Sequence, residues 1–591
     1  MEVGESSLGR FRLFEVLFAT LALIIFGQLL RIQFSAEAKD LTKPDEPIGE
    51  WRSIYPARGI IYDRWGHVLA GNRTVYEVGA ELRNVENPET IALTLMGVLQ
   101  VDYAQVLAAA SKPYSADPKN PAIYAKLADY VTEEQKQHIE ELAKGLKSQL
   151  VKRNDKIKSP SLSGLIFTPH LVRSYPEKER GYNLTGFVNH EGEGFFGVEE
   201  YYNDLLAGSP KTVWVPLDPN LMDQMPDIPD GTSIVLTIDR EIQVNMEELL
   251  DQSLKENGAE SGVIAVMDPK TGEILAMAST PRLDLNQFWD YQEVFPGSTP
   301  FNRVTSQSYE PGSVFKIFTM AAALDSKVVK PDTTFLDTGV FQYGGIYVYN
   351  WNRGAWGQQT MLGCMQHSLN VCLAWVSVKT GASRFYSYME KFGFGHITGV
   401  DLAGEVSGRL KLPGDEDWYD ADLAVNAFGQ GVSVTPIQML MALSAVANKG
   451  NMVAPHVLKT IITNGRPLNT PVQIVGNPIS AKTARTLTDM LATSLEVESS
   501  VALVEGYRVA GKTGTAEIPT PSGYSSTATN ATFAGWGPVD DPRFIVYVWF
   551  EKPVTSPWGS VVAAPVFRQA VERLVVLMGI PPDDVRAKLE K

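Results

Sequence analysis

Between Leu13 and Phe34 the chain reads LFEVLFATLALIIFGQLLRIQF, a run long enough to cross a bilayer as one helix, for which about 20 apolar residues suffice. A chain with such a run near its start either keeps it as an anchor or loses it as a signal peptide. Arg10 and Arg12 precede the run in either case, and Ala36-Glu37-Ala38 has the small residues of a cleavage site. The run is longer than a usual signal-peptide core, so an uncleaved anchor is expected, with residues 13–34 as a transmembrane helix and 1–12 as a cytoplasmic stub. Glu15, Gln28 and Arg31 lie near its ends, within reach of headgroups. Basic residues also follow it, at Arg31, Lys39 and Lys43, so charge alone does not set its orientation.

The remainder must form more than one domain, because 591 residues exceed what one ordinary core supports. A content of 44% apolar and 20% charged residues belongs to folded protein. The net charge of -16 argues against nucleic-acid binding, which needs a basic face to neutralise phosphates. Two cysteines, Cys364 and Cys372, make neither a disulfide framework nor a zinc set, and no metal or cofactor is expected. On a single helix they would stand about 12 Å apart, too far to bond, so two packed or reduced thiols are expected.

Residues 35–230 are poor in long periodic segments. Trp51 to Arg73 reads as short strands about the turn Asp63-Arg64-Trp65-Gly66, and the pattern from Glu89 to Leu150 is helical, with Thr132 as an N-cap. Pro210 to Pro229 looks like a connector. From 231 to 591 the pattern changes. SIVLTID reads as a strand, REIQVNMEELLDQSLKENG as an amphipathic helix ending at glycine, and SGVIAVMDPKTGEILAMAS as a hairpin. SVFKIFTMAAALDS reads as an apolar helix, YRVAGKTGTAEI, ATFAGWGPV and FIVYVWFEK as three strands, and APVFRQAVERLVVLMG as a closing helix. This order predicts an α+β domain whose antiparallel sheet is completed by both ends and flanked by helices.

A serine hydroxyl becomes a nucleophile only beside a base. Ser313 and Lys316 are spaced to share a helix face, and Ser313 falls at a helix start, where free N–H groups favour developing negative charge. No other serine in the chain is followed three residues later by lysine. Taken alone, the pair also suits a serine capping a core helix. Ser368-Leu369-Asn370 offers a hydroxyl and an amide side by side, and the adjacent His367 points elsewhere if a helix carries both. Lys-Thr-Gly occurs at 270–272, 379–381 and 512–514. The first sits in a hairpin turn and the second at a helix end. The third lies in a strand, where Lys512, Thr513 and Thr515 can hold a carboxylate and Gly514 permits close approach.

Ser-x-x-Lys, Ser-x-Asn and Lys-Thr-Gly in this order are the signature of penicillin-binding proteins and serine β-lactamases. Beyond them, RGIIYDRWGHVLA, RSYPEKERGYNLTGFVNHEGEGFFGVEEYYNDLLAG, DPKTGEILAM, FGFGHITGVDLAGE, GQGVSVTPIQM and AAPVF resemble the ordered motifs of a class B penicillin-binding protein. The resemblance implies one transmembrane helix in the cytoplasmic membrane, an elongated non-catalytic pedestal of the dimerisation type over 35–230, and an extracytoplasmic penicillin-binding transpeptidase domain over 231–591. It implies a D,D-transpeptidase that cross-links peptidoglycan stem peptides through a Ser313 acyl-enzyme, releases D-alanine and is trapped covalently by β-lactams. Lys316 would be the base, made partly neutral by burial and by the charge of Lys512. Ser368 would shuttle the proton, Asn370 would bind the acyl-side amide, and Lys512 and Thr513 would receive the carboxylate. The implied partner is a polytopic glycan polymerase (FtsW/RodA-like), and the GFVNHEGEGFFGVEE block favours a division-type (FtsI-like) role over an elongation-type one. The alternatives are a D,D-carboxypeptidase or β-lactamase, or a non-enzymatic β-lactam sensor or scaffold. Against a β-lactamase, Glu405 belongs to the DLAGE turn and lacks the sequence that follows the class A deacylating glutamate.

Overall fold

The computed structural model describes residues 6–33, 49–115, 122–150, 160–216, 228–463, 465–520 and 523–589. The chain divides into two units, one made of Met1–Pro56 with Ser209–Pro229, the other of Ala57–Gly208 with Asp230–Lys591.

In the first unit, Ser6–Gln33 is one helix of 28 residues, and every side chain described along it, over residues 15–31, is exposed. Among the described residues no helix is long and apolar enough to cross a membrane. The first five residues of the expected stub and the polar stretch 35–48 lie outside the described residues. So do residues 217–227 of the expected connector. Its described part is a strand instead: KTVWVP, rich in β-branched and aromatic residues, pairs antiparallel as Lys211–Pro216 with Gly49–Ile54.

The second unit carries the α+β core. Its five-stranded antiparallel sheet runs in the order Ile274–Ser279, Ser261–Met267, Phe544–Glu551, Gly523–Gly537, Ala510–Thr520. The early hairpin and the three late strands thus meet as expected. One face packs against the helices Arg240–Asn257 and Ala564–Leu577 through Ile242, Met246, Phe533 and Phe567. The first of these helices starts where the Asp239 carboxylate accepts the N–H groups of Glu241 and Ile242, and it stops at the left-handed Gly258. The other face covers the apolar helix Lys316–Asp325, whose Ile317, Phe318, Met320 and Ala321 are fully buried.

Two readings need correction. SIVLTID does not join that sheet. Ser233–Leu236 runs parallel to Ile61–Tyr62 and antiparallel to Leu458–Thr463 in a seven-stranded sheet that continues into Val68–Glu81, Tyr124–Val131 and Leu165–Ser174. The stretch 89–150 is helical at Pro88–Leu99, Tyr103–Ala110 and Glu133–Leu150, but Tyr124–Val131 between them is a strand. The long strand Val68–Glu81 supplies its partner, and such tertiary pairing overrides local propensity. Thr132 caps the last helix as expected, in a reciprocal box with Gln135.

The two pedestal motif blocks meet at buried charge. Glu199, fully buried, accepts from Arg58 Nε at 2.7 Å through one oxygen and from Arg173 Nε at 2.6 Å through the other. Arg58 also donates to the Glu199 carbonyl, and Arg173 to the Gly59 carbonyl. Residues before 208 also bond to the chain beyond 231. Arg64 pairs with Glu273 at 3.2 Å, Trp65 Nε1 donates to Asp239 at 2.7 Å, and the Tyr202 hydroxyl donates to Asp401 at 2.8 Å. Asp401, from the DLAGE turn, also accepts the N–H groups of Val457 and Leu458.

Candidate active site

Pro311 leads into a 3₁₀ turn, Gly312–Phe315, which runs directly into the helix Lys316–Asp325. Ser313 therefore stands on the 3₁₀ turn ahead of the helix rather than in its first α-turn. With three residues per turn, positions 313 and 316 are eclipsed, so the spacing aligns them more closely than an α-helix would. Gly312 adopts φ +57°, and a Cβ there would lie 2.8 Å from the Thr515 carbonyl oxygen. Gly514 faces the same turn, and a Cβ on it would meet the Pro311 carbonyl oxygen at 2.9 Å. Two glycines thus let the serine turn press against the edge strand Ala510–Thr520. From below, Gly312 N donates to the carbonyl of Gly429, the first residue of the GQGVSVTPIQM block, and the Thr319 hydroxyl to that of Ala427 just before it.

Lys316 is wholly buried. Its Nζ donates to the Ser368 carbonyl at 2.6 Å, to Ser368 Oγ at 3.1 Å and to Asn370 Oδ1 at 2.7 Å. Those three acceptors match the three donors of an ammonium. Burial, and then the neighbouring charge of Lys512, hold the Lys316 amine well below the usual lysine range. Ser368 and Asn370 sit where the chain breaks between the helices Met361–Gln366 and Asn370–Thr380, with Ser368 in the left-handed region at φ +53°. A non-glycine residue in that region is strained, and such strain clusters at functional sites.

That break overturns the reading of the cysteines. Cys364 and Cys372 lie on two helices rather than one, their Cα atoms are 6.1 Å apart, and they form a disulfide. His367 turns away from Ser368, as expected, though because of the break rather than a helical rotation. Its ring stacks on Trp356 at 4.2 Å, and Nδ1 lies 3.1 Å from Glu498.

The three Lys-Thr-Gly triplets also separate. Lys270 pairs with Asp541 beside its hairpin turn, and Lys379 lies over the Trp375 ring at 4.6 Å. Lys512 alone joins the site. It is 5% exposed, contacts the Thr513 carbonyl and hydroxyl only at 3.4 Å, and burial lowers it to about 8. A buried cation with such long contacts is suited to receive an anion. Thr515 Oγ1 accepts from Gly559 N at 3.0 Å, which leaves its hydroxyl proton free to donate. Because Lys512 loses its charge as the pH rises through about 8, capture of a carboxylate-bearing substrate should fall above that pH. A pH profile of the second-order rate of penicillin acylation is expected to show this descending limb, and Lys512→Arg should move it to higher pH.

Glu405 is occupied elsewhere. Oε1 accepts from Thr398 N and Oγ1 at 2.7 and 2.6 Å, and Oε2 accepts from Gly399 N at 3.0 Å. A cavity of about 440 Å³ bordered by Glu81, Arg83 and Gly164 lies in the pedestal and shares no residue with the three motifs.

Two residues here escaped the sequence reading. Glu310 precedes the serine turn, accepts from Gly431 N at 3.0 Å and from the Tyr524 hydroxyl at 3.1 Å, and is raised by burial above the usual carboxylate range. Asn350, 2% exposed, donates to Asp337 and Gly354 and accepts from Val371 N, which fixes the loop beside Asn370. Neither carries a local signature, since Glu310 works through Gly431 and Tyr524 and Asn350 reaches Val371, all outside any short window of sequence.

Residues 262–572 match the penicillin binding protein transpeptidase domain family, and residues 53–220 match the penicillin-binding protein dimerisation domain. The chain is 32% identical over 598 residues to stage V sporulation protein D of Bacillus subtilis, covering 98% of this chain and 88% of that protein. It is 27% identical over 552 residues to the peptidoglycan D,D-transpeptidase FtsI of Escherichia coli K12, covering 90% and 85%. Penicillin binding protein 2X from Streptococcus thermophilus superposes with a TM-score of 0.72 at 22% identity, over 89% of this chain and 80% of that one, a likeness of fold. Penicillin binding protein 3 from Mycobacterium tuberculosis, solved with aztreonam, gives 0.67 at 25% identity over 90% and 98%.

Proposed function

We propose, from the premise that this chain belongs to the class B penicillin-binding proteins and is a serine-type peptidoglycan D,D-transpeptidase, that Ser313 carries its acyl intermediate. The observation that supports this most directly is the buried Lys316 amine, one turn from Ser313 and bonded to both Ser368 and Asn370. In neutral form the amine keeps two donors and gains a lone pair, which can take the Ser313 proton. Ser313 Oγ then attacks the carbonyl of the penultimate D-alanine. The tetrahedral oxyanion is held by backbone N–H groups of the serine turn and the strand edge. As the C–N bond to the terminal D-alanine breaks, the proton passes from Lys316 through Ser368 to the leaving amine. Asn370 holds the acyl-side amide, while Lys512, Thr513 and Thr515 hold the departing carboxylate, with Gly514 leaving room for it. The acceptor stem's amine reverses these steps: it attacks the ester, loses its proton to the site, and Ser313 Oγ recovers one.

β-Lactams imitate the same donor end, and turnover of their esters needs an activated water. The bonds that hold both Glu405 oxygens support slow deacylation, and so a transpeptidase over a β-lactamase or carboxypeptidase. Fluorescent penicillin is expected to label the wild type stably and Ser313→Ala not at all. Equal labelling of the two would end this reading, and rapid release of the label would favour the β-lactamase.

The apolar run 13–34, whose residues 13–33 lie within the helix Ser6–Gln33, supports a single-pass anchor in the cytoplasmic membrane with the body outside. A polytopic glycan polymerase is the partner suited to that arrangement, in division rather than elongation. Full-length protein should resist alkaline extraction from membranes, and a chain lacking residues 1–34 should be released.

A further inference from the structure

Two tryptophans meet across the site. Trp351 stands at the Ser368 side, where its Nε1 donates to the His367 carbonyl at 3.3 Å. Trp558 stands at the strand side, next to Gly559, whose N–H donates to Thr515 Oγ1. Ser368 and Thr515 belong to opposite walls, since Lys316 bonds to the first and the Ser313 turn presses on the second. The indoles nevertheless touch in a T-shaped arrangement, with centroids 5.6 Å apart and an interplanar angle of 71°. Both are large apolar groups left in water, at 52% and 40% exposure. Both are also held from behind, Trp351 by the buried Asn350 and its bonds to Asp337, Gly354 and Val371, and Trp558 through Ser556 and Gly559. Exposed indoles on fixed supports are groups presented for contact rather than packing.

We propose that Trp351 and Trp558 form an aromatic gate over Ser313, so that an acyl donor must part them and its width sets how readily it is acylated. This inference rests on the transpeptidase reading and adds two specificity-determining residues to it. A strand-like donor whose carboxylate seeks Lys512 and whose amide seeks Asn370 has to lie between the walls, where the ring contact closes the span. A wide group beside the reacting carbonyl needs the rings further apart than a narrow one does. The contact is worth roughly a two- to tenfold change in rate, and removing either ring removes the whole of it.

The test compares second-order acylation rates for wild type, Trp351→Ala, Trp558→Ala and the double variant. The probes are 6-aminopenicillanic acid, which has no amide side chain, and piperacillin, which has a broad one, each competed against fluorescent penicillin. Each single variant is expected to be acylated about two- to tenfold faster by piperacillin. It should gain less with 6-aminopenicillanic acid, and the double variant should gain no more than the singles. Melting temperature and the fraction labelled at saturation check folding, and Trp351→Leu, which keeps apolar bulk without the ring contact, replaces an unstable alanine variant. Rates unchanged, lowered, raised equally for both probes, or additive in the double variant would overturn the gate. If wild type does not label through Ser313 at all, the transpeptidase reading fails instead, which separates the two.

Discussion

Lys316→Met is expected to lower the rate of penicillin acylation by about 10²–10⁴-fold, the range for losing a positioned base, while leaving the protein folded and no less stable. The two halves of that expectation share one cause. The Lys316 amine is fully buried and held well below its ordinary range, so folding must discharge it or bury its charge. Between the depressed folded value and the unfolded value of about 10.4, the unfolded chain binds more protons, and stability rises with pH across that window. Below the folded value both states are protonated and the cost is at its largest. Methionine, of similar length and apolar, removes the cost at every pH below the window's upper end. A melting temperature equal to or above wild type, with acylation nearly lost, is the expected pair of results. Acylation close to wild type would remove Lys316 as the base.

Glu199→Gln is expected to cost about 3–5 kcal/mol of stability, measured by denaturant unfolding, although the residue lies in the pedestal, outside the motifs that carry the chemistry. Its carboxylate is the shared counter-charge of Arg58 and Arg173, which are 8% and 4% exposed. Glutamine keeps the shape but leaves two guanidinium groups buried without neutralisation. Replacing Arg58, Glu199 and Arg173 together with apolar residues should cost much less than this single change, because the penalty arises from charge left unpaired rather than from the triad's own worth. A loss below about 1 kcal/mol for Glu199→Gln would show that water reaches the arginines.

What was legible in the sequence had a local cause. The hairpin around Asp268–Gly272, the helix that ends at Gly258 and the Thr132 cap follow from turn, stop and capping chemistry, and all three are present. The site residues were legible as ordered motifs, and Lys316, Ser368 and Asn370 do come together. The failures share a non-local origin. Tyr124–Val131 is a strand because Val68–Glu81 offers it an edge, and Ser233–Leu236 found a different sheet because Ile61–Tyr62 and Leu458–Thr463 flank it. The cysteines were misjudged for a smaller reason. A break at residues 367–369 leaves almost no trace in QHSLNVC, yet it turns an impossible bond into a possible one. Glu310, Asn350 and the meeting of Trp351 with Trp558 depend on partners that no window along the chain brings together.

The pairing of Ser233–Leu236 with Ile61–Tyr62 also decides how the molecule can be divided. Ile234 N donates to Ile60 O at 2.9 Å, and the parallel register continues through Val235 and Tyr62. A fragment begun at residue 231 would leave that strand with bare donors and acceptors along one side, an open seam ready to pair with another copy. Residues 57–62 cover that edge and leave in its place only the short edge of Ile61–Tyr62, which pairs with Val68 and Ala70 in the whole chain, so a piece that retains them should clump less than the bare one. The cut that looks natural along the chain runs through a zip that is closed in space.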